Sequence, residues 1–581
     1  MSPQLKSLSA SETTVSYDSI ERTPRGVQRI ERVEKQMNSK YLSVLIVSVY
    51  LCSWAISLDR STIRSYKPYA TSHFNRHSML STLTIATTVI SAVCKPFVAK
   101  FSDLTSRGMA YSVVLVLYVI GFIVAACSPT ISAYVIGSVF IAIGESGINL
   151  LNTILVADMT PLKWRSAVLS LLMTPSLCTT WVSGIIVQNI IDANWRWGYG
   201  MFAIITPVAV IPAILIIFWI EHRLDKDDDT TRKPLRVGIR DLHTALLEID
   251  ALGLLLIGFA FSLILLPCSL YTYASGGWSN PSMIAMECVG GVLLITYIVY
   301  DIWFAPYPLL PRRVLLNKTF VFCAIVDFFH EMNSYMWVVY FSSYTMVVLN
   351  LSYRDWTYLS NTETVGYCAF SVLIGLLFRI TRRYKIFQVG GTMIRDVGLG
   401  LLIHSAKQLN GPTLGFILAG NIIISFGDAA DIMGTQIAGQ ACVPHKDMAS
   451  TISILSLFSS IGGSVGQAIA AAIWNTHLPE KLTNYVGDPK KALRYFDEVS
   501  AIYKLPWGSH DRFACIKAYQ DIYYVLFCIA IGINTVCIIG SMFLSNFYLG
   551  NEQNAVEGEE NLPESGKWYI TVLDFFKSPF K

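Results

Sequence analysis

Apolar residues along this chain fall into runs of about twenty, the length needed to cross a hydrocarbon core as a helix. Such runs are predicted near 42–59, 79–99, 109–127, 131–157, 166–190, 198–220 and 251–270, then 282–302, 320–345, 358–378, 388–405, 413–436, 448–474 and 521–546. That makes fourteen spans, and an even number places both ends of the chain on one side. Lysine and arginine decide which side. With the N-terminus in the cytosol, the inner connections hold eighteen Lys or Arg and the short outer ones seven. The stretch 475–520 holds seven more, but a connection of that length carries little weight in the count.

The polar intervals divide the chain. Residues 1–40 read as a cytosolic tail whose segment GVQRIERVEKQ either lies on the membrane surface or is a solvated linker. Residues 41–220 form a first half of six helices, and 221–250 is a long cytosolic loop. Residues 251–319 hold two linker helices and an inner connection. Residues 320–546 form a second half of six helices with the outer loop 475–520, and 547–581 is a second cytosolic tail. The fold class expected is an all-α membrane protein that works by two halves rocking about a shared path.

Composition agrees with the pattern. Hydrophobic residues make up 53% and charged residues only 14%, with mean hydropathy +0.48, against about 25% charge in soluble domains. A net charge of +4 implies no nucleic acid. Twelve cysteines stand singly, without a C-x-x-C pair, as small hydrophobes and not as a metal site or disulfide framework. The polar start contains no cleavable leader, so the first helix is expected to direct insertion. Nucleotide-binding, zinc-protease, nucleophile-elbow and calcium-loop signatures are missing. No enzyme, no cofactor and no ATP-driven pump is expected.

Charges inside the apolar runs carry the candidate chemistry, because an ionisable group there is expensive. Asp59 follows seventeen uncharged residues. Burial favours the neutral form of a carboxyl, so such an acid can take up a proton outside and release it inside; the alternative is a salt bridge to Arg60 or Arg64 at a helix mouth. Glu145 lies among small residues in the fourth span, where it either couples protons or bonds to a neighbouring helix. Asp327, His330 and Glu331 share one helical face at i, i+3 and i+4. They suit a proton relay, a substrate contact, a divalent metal site short of ligands, or a self-satisfied polar face. Asp428 and Asp431 repeat the theme in the twelfth span.

Aromatic residues bracket these acids, Tyr66, Tyr69 and Tyr335 among them, and a large uncharged ligand uses such faces; anchoring at the membrane interface is the alternative. The loop 475–520 is too long for a mere connector. It is expected either to capture substrate, through Arg512 and Tyr519, or to be a solvated insertion. Lys100, Asp103 and Arg107 close the second run with charges that stand in water or pair.

Several stretches carry a resemblance. Ala99–Gly108 is similar to the loop between the second and third helices of major facilitators, with Ala99 and Ser106 in place of its glycines and Gly108 in place of its last cation. LDRSTIRSYKPYATSHFNRHS (58–78) resembles the first helix and outer loop of fungal siderophore–iron transporters, although Trp54–Ser57 replaces their glycine-rich run. DMTPLKWRS (158–166), WRWGYGMFAIITPV (195–208), FAPYPLLPRRVLLNKTF (304–320) and the stretch 445–474 look like the same family. The resemblance, to the fourteen-span branch near drug:proton antiporters, implies a proton-coupled importer of ferric siderophore. It further implies a carrier that sits as a monomer in the bilayer of a fungal plasma membrane, or in an endosomal or vacuolar membrane. Lys100, Asp103 and Arg107 would then be its gate loop. Family members tend to lack acids at 145, 428 and 431, which keeps haem import and exchange of glutathione or another organic anion for protons open. From another class, a substrate sensor without net transport also stays open.

Overall fold

The structure, a computed structural model, describes residues 39–73, 80–226, 246–247, 250–267, 276–306, 314, 316–407, 413–444, 447–497 and 499–550. Regular structure among them is helical throughout. In order these helices are α1 (Ser39–His73), α2 (Leu80–Leu104), α3 (Arg107–Ala126), α4 (Ile131–Met159), α5 (Leu162–Leu171) and α6 (Pro175–Gly200). Next come α7 (Phe202–Lys226), α8 (Ala251–Leu265), α9 (Pro281–Val299), α10 (Lys318–Val348), α11 (Tyr353–Thr381) and α12 (Lys385–Lys407). The last are α13 (Thr413–Ala441), α14 (Met448–Val486), α15 (Pro489–Asp497), α16 (Val499–Tyr503) and α17 (His510–Phe543).

Short polar side chains set where many of them begin. Ser106 accepts from the Met109 amide at the start of α3, Thr130 from Ala133 at α4, and Asn317 from Thr319 and Phe320 at α10. Each satisfies amides that the first turn leaves without a partner. Eleven helical stretches among the described residues are long and apolar enough to cross a membrane, fewer than the fourteen expected. Helices α2, α8 and α10 occupy the three remaining expected positions. The first and last carry Lys95, Lys100 and Asp103, and Lys318, Asp327 and Glu331, respectively, and α8 is only 15 residues long.

Three large apolar clusters hold the bundle. One is built from α1–α7 around Tyr111, Tyr118, Phe122 and Ile148. The other two large clusters, around Trp337 and Tyr523 and around Phe378 and Ile437, belong to α10–α17. Small residues allow the closest approaches. A Cβ on Gly462 or Gly466 of α14 would stand 2.0 or 2.2 Å from the Phe328 and Met332 carbonyl oxygens of α10.

The two helix groups touch on the side that the Lys and Arg count assigns to the cytosol. Leu162 of α5 is buried in a core of the second group, and Met448, Ala449 and Ile452 of α14 are buried in that of the first. The Arg379 guanidinium lies 4.5 Å over the Trp164 ring. After α17 the chain turns back beneath the bundle. The Leu549 amide donates to the Arg382 carbonyl at 3.0 Å, and the Lys163 amide donates to Gly550 at 3.1 Å. Towards the opposite side, Trp181 of α6 meets Tyr358 of α11 edge to face at 4.8 Å.

Some expected boundaries move. The first span does not end at 59: the helix continues through the polar stretch to His73. The expected outer loop 475–520 is mostly helical, since α14 runs on to Val486 and α15, α16 and the start of α17 fill the rest. The tail expected from 547 begins with four residues packed against the bundle, Leu549 being fully buried. The tail before 39, most of the loop 221–250 and the chain after 550 lie outside the described residues.

Candidate functional site

Asp59 lies inside α1, fourteen residues before its end at His73. Its side chain is 1% exposed and accepts a hydrogen bond from the Tyr118 hydroxyl of α3. Gly144 of α4 makes room for that tyrosine, since a Cβ there would stand 2.4 Å from Tyr118 Cβ. Arg60, one residue along, turns the other way and pairs with Glu145 of α4, Nε to Oε1 at 2.6 Å. The alternative of an Asp59–Arg60 bridge at a helix mouth is therefore corrected: the two neighbours serve different partners within the helix. Side chains of Arg64, Tyr66 and Tyr69 lie outside the described residues.

Lys95 of α2 reaches across to α14. Its Nζ donates to Ser456 Oγ at 2.6 Å and Ser460 Oγ at 3.3 Å, one helical turn apart. This contact joins the two helix groups within the span.

The second group carries a buried ionic cluster. His330 of α10 places Nδ1 2.7 Å from Asp431 Oδ2 and Nε2 3.6 Å from Asp428 Oδ1. Arg395 of α12 is fully buried, with Nε 2.8 Å from Asp428 Oδ1 and Nη1 3.1 Å from that same His330 Nδ1. Gln388 donates to Asp431 Oδ1 at 3.3 Å and to Thr435 at 2.7 Å. One imidazole nitrogen cannot donate to Asp431 and accept from Arg395 together, so the placement of a single proton selects the contact. Asp327 and Glu331, expected to act with His330, are half-buried and join no ion pair among the described residues, although Glu331 lies within electrostatic reach of His330. Sequence spacing placed all three on one face, but packing against α12 and α13 claims only the histidine.

The remaining candidates divide. Tyr335 is 39% exposed, and its ring packs on Gly463, where a Cβ would stand 2.8 Å away. Nearby in sequence, Tyr340 stacks on Trp474 at 4.4 Å. Tyr519 is buried with its ring edge-on to Trp474 at 5.2 Å. Arg512 is 1% exposed, donating to the carbonyls of Ile502 and of Met346, the latter at 3.2 Å. Neither lines an open loop as expected. Both sit inside α17, and Arg512 braces α16 against the end of α10. Arg107 donates to Asp103 at 2.7 Å, to Ser102 at 2.8 Å and to Asp158 of α4 at 2.9 Å, all buried. Lys100 is half-buried in the same turn and joins no ion pair among the described residues. No group of three or more His, Cys, Asp or Glu that could hold a metal ion occurs among the described residues.

Sequence reasoning passed over Lys95, Arg395, Gln388 and Tyr118. The signal that singled out the acids was available for the two cations, since both stand inside predicted spans. For Gln388 and Tyr118 only the three-dimensional partner marks them.

A sequence model of the Major Facilitator Superfamily matches residues 49–466. Among curated proteins, the chain is 44% identical to a low affinity heme transporter, str3, of Schizosaccharomyces pombe, over 93% of this chain and 88% of the relative. It is 35% identical to a siderophore transporter of Zymoseptoria tritici over 93% and 86%, and 34% identical to the siderophore transporter fer7 of Mycosarcoma maydis over 92% and 85%. Among solved structures, a bacterial homologue of the iron transporter ferroportin in its outward-facing state matches with TM-score 0.53 at 10% identity, over 86% of this chain and 99% of that one. The proton:xylose symporter XylE matches with TM-score 0.51 at 12% identity, over 90% and 99%. These two likenesses concern the fold.

Proposed function

The chain belongs to the major facilitator superfamily, within its fungal siderophore–iron transporter family, and from that premise we propose that this multi-pass membrane transporter imports iron-bearing organic chelates driven by protons. The observation that carries the proposal is the set of ionisable side chains contributed by both helix groups inside the span. Asp59, Arg60, Glu145 and Lys95 come from the first, and Asp327, Glu331 and the His330–Asp428–Asp431–Arg395 cluster from the second. Intramembrane charges of this kind serve ligands or protons more readily than they serve stability.

Roles follow from the surroundings. Asp59 is the proposed coupling acid, held by the Tyr118 hydroxyl, while adjacent Arg60 pairs with Glu145. Asp327 and Glu331, without ion pairs among the described residues, are the second proton-handling set. His330, Asp428 and Asp431 form a switchable contact behind the substrate path, and Tyr335 offers an aromatic face to it. Arg107, with Asp103 and Asp158, holds the cytosolic ends of α2, α3 and α4 together, which suits a gate that stays shut while the outer side is open.

Ferric siderophores are the first substrate class, on the strength of several relatives. Haem is the second reading, favoured by the 44% identical relative. The test is uptake of radioactive iron into cells that lack other carriers. The iron is supplied as hydroxamate chelates and as haem, with glutathione as competitor, at acid and neutral external pH. Accumulation of one chelate that collapses with a protonophore supports the reading. Uptake of none of them, with the protein at the membrane, rejects it in favour of a sensor.

A further inference from the structure

The intramembrane cations of this protein are not held alike. Arg60 and Arg395 each have a carboxylate within 3 Å, at 2.6 and 2.8 Å respectively. Lys95 has none among the described residues: its ammonium meets only the hydroxyls of Ser456 and Ser460. Glu331 and Glu145 act on it electrostatically from beyond ion-pair distance, and Glu145 is already paired with Arg60. An ammonium has three N–H donors, so one direction remains for a further acceptor. A positive charge met at hydrogen-bond distance only by neutral hydroxyls is incompletely compensated, and an anionic oxygen would complete it.

The place matters as much as the charge. Lys95 is half-buried and not sealed, and it spans the gap between α2 and α14. On α14, Ser460 stands three residues before Gly463, against which the partly exposed Tyr335 ring lies. Cation, hydroxyl pair and aromatic face are thus contributed to one region by both helix groups.

Resting on the reading of this chain as an importer of iron chelates, we infer that Lys95, with Ser456 and Ser460, forms a subsite for a carboxylate of the substrate, so that the preferred iron complex carries a free carboxylate beside its apolar body. A carboxylate arriving there competes with the two serines for the ammonium. Binding therefore loosens the bridge between α2 and α14, which ties occupation of the site to movement of the helix groups.

The test compares acid and ester forms of one ligand. Purified full-length protein in lipid nanodiscs is titrated with haem and with its dimethyl ester, and likewise with a carboxylate-bearing hydroxamate siderophore as its ferric complex and with that complex's methyl ester. Binding is read by quenching of tryptophan fluorescence. The wild-type protein should bind the acid form of its ligand about tenfold or more tightly than the ester, as expected for a partly desolvated charge pair. Lys95→Gln should bring the acid-to-ester ratio to about one, and Lys95→Arg should keep most of it. Wild-type protein that binds an iron complex without distinguishing acid from ester overturns the subsite and leaves the transport reading standing. A Lys95→Gln protein that weakens both forms equally reassigns the lysine to packing. Failure of every iron complex to bind removes the transport reading, and the subsite falls with it.

Discussion

His330 and Asp431 are joined across α10 and α13 by a 2.7 Å contact from Nδ1 to Oδ2, while Arg395 approaches that same nitrogen to 3.1 Å. The imidazole is thus shared between an acid and a cation that cannot both be satisfied by one proton arrangement. Arg395 and Asp431 are at most 1% exposed, so the cluster depends on its own members for charge balance. Asp428→Ala should strand the Arg395 guanidinium and lower stability by about 3–5 kcal/mol, the usual loss when one partner of a buried pair is removed. Thermal unfolding of the detergent-purified protein measures this, and adding Arg395→Met should recover much of the loss. An unchanged midpoint for Asp428→Ala would show that the pair supports nothing.

Asp59→Asn should leave the protein at the membrane yet abolish uphill accumulation of substrate, because asparagine keeps the contact with Tyr118 but carries no proton. Asp59→Glu should retain part of the activity with a shifted pH optimum. Arg60→Gln should not rescue Asp59→Asn, since Arg60 is paired with Glu145. Uptake under an imposed acid-outside gradient decides, and normal uphill accumulation by Asp59→Asn would pass the coupling role to Glu145, Asp327 or Glu331.

Gly462→Ala or Gly466→Ala should separate α10 from α14, because the new methyl would meet a backbone carbonyl that has no side-chain freedom to yield. Overpacking of this kind costs about 1–3 kcal/mol, sometimes more. Gly532→Ala on α17 meets nothing within 4 Å and should be neutral or slightly stabilising. Comparing the three by thermal unfolding separates close packing from any general intolerance of glycine replacement.

An acceptor for N-glycosylation engineered into the exposed turn 504–509 should be modified in cells, whereas one placed within 232–240 should not. A mobility shift on gels, reversed by glycosidase, reads the result. Glycan on the second site would overturn the orientation drawn from the lysine and arginine count. The native sequon at Asn350, exposed between α10 and α11, lies on the outer side in that same orientation.

Arg512→Ala should lower the amount of folded protein more than it changes apparent affinity for substrate. Its guanidinium is committed to carbonyls of Ile502 and Met346 and so braces α16 against the end of α10. Saturation uptake normalised to surface protein distinguishes the two effects. A selective rise in apparent KM at normal protein level would return Arg512 to the substrate path.

Where helices lie along this chain was readable without coordinates. A hydrocarbon solvent permits only segments that satisfy their own backbone, so apolar runs of the right length declare themselves. The superfamily was legible as well, from local motifs such as 58–78 and 99–108. The polar stretch after Asp59 and the long outer interval were misread because helices that run beyond the bilayer lose the apolar signal but keep their backbone bonding. Which charge meets which was not legible either. Asp59 chooses Tyr118 while adjacent Arg60 chooses Glu145, and His330 leaves Asp327 and Glu331 for Asp431, because those partners come from helices distant in sequence whose rotation is set by close contacts at Gly144, Gly462 and Gly466. Local spacing determines which face of a helix a side chain occupies, and only packing determines what that face meets. The bridge from Lys95 to Ser456 spans 361 positions of the chain, and it exists only because the two helix groups close on one another.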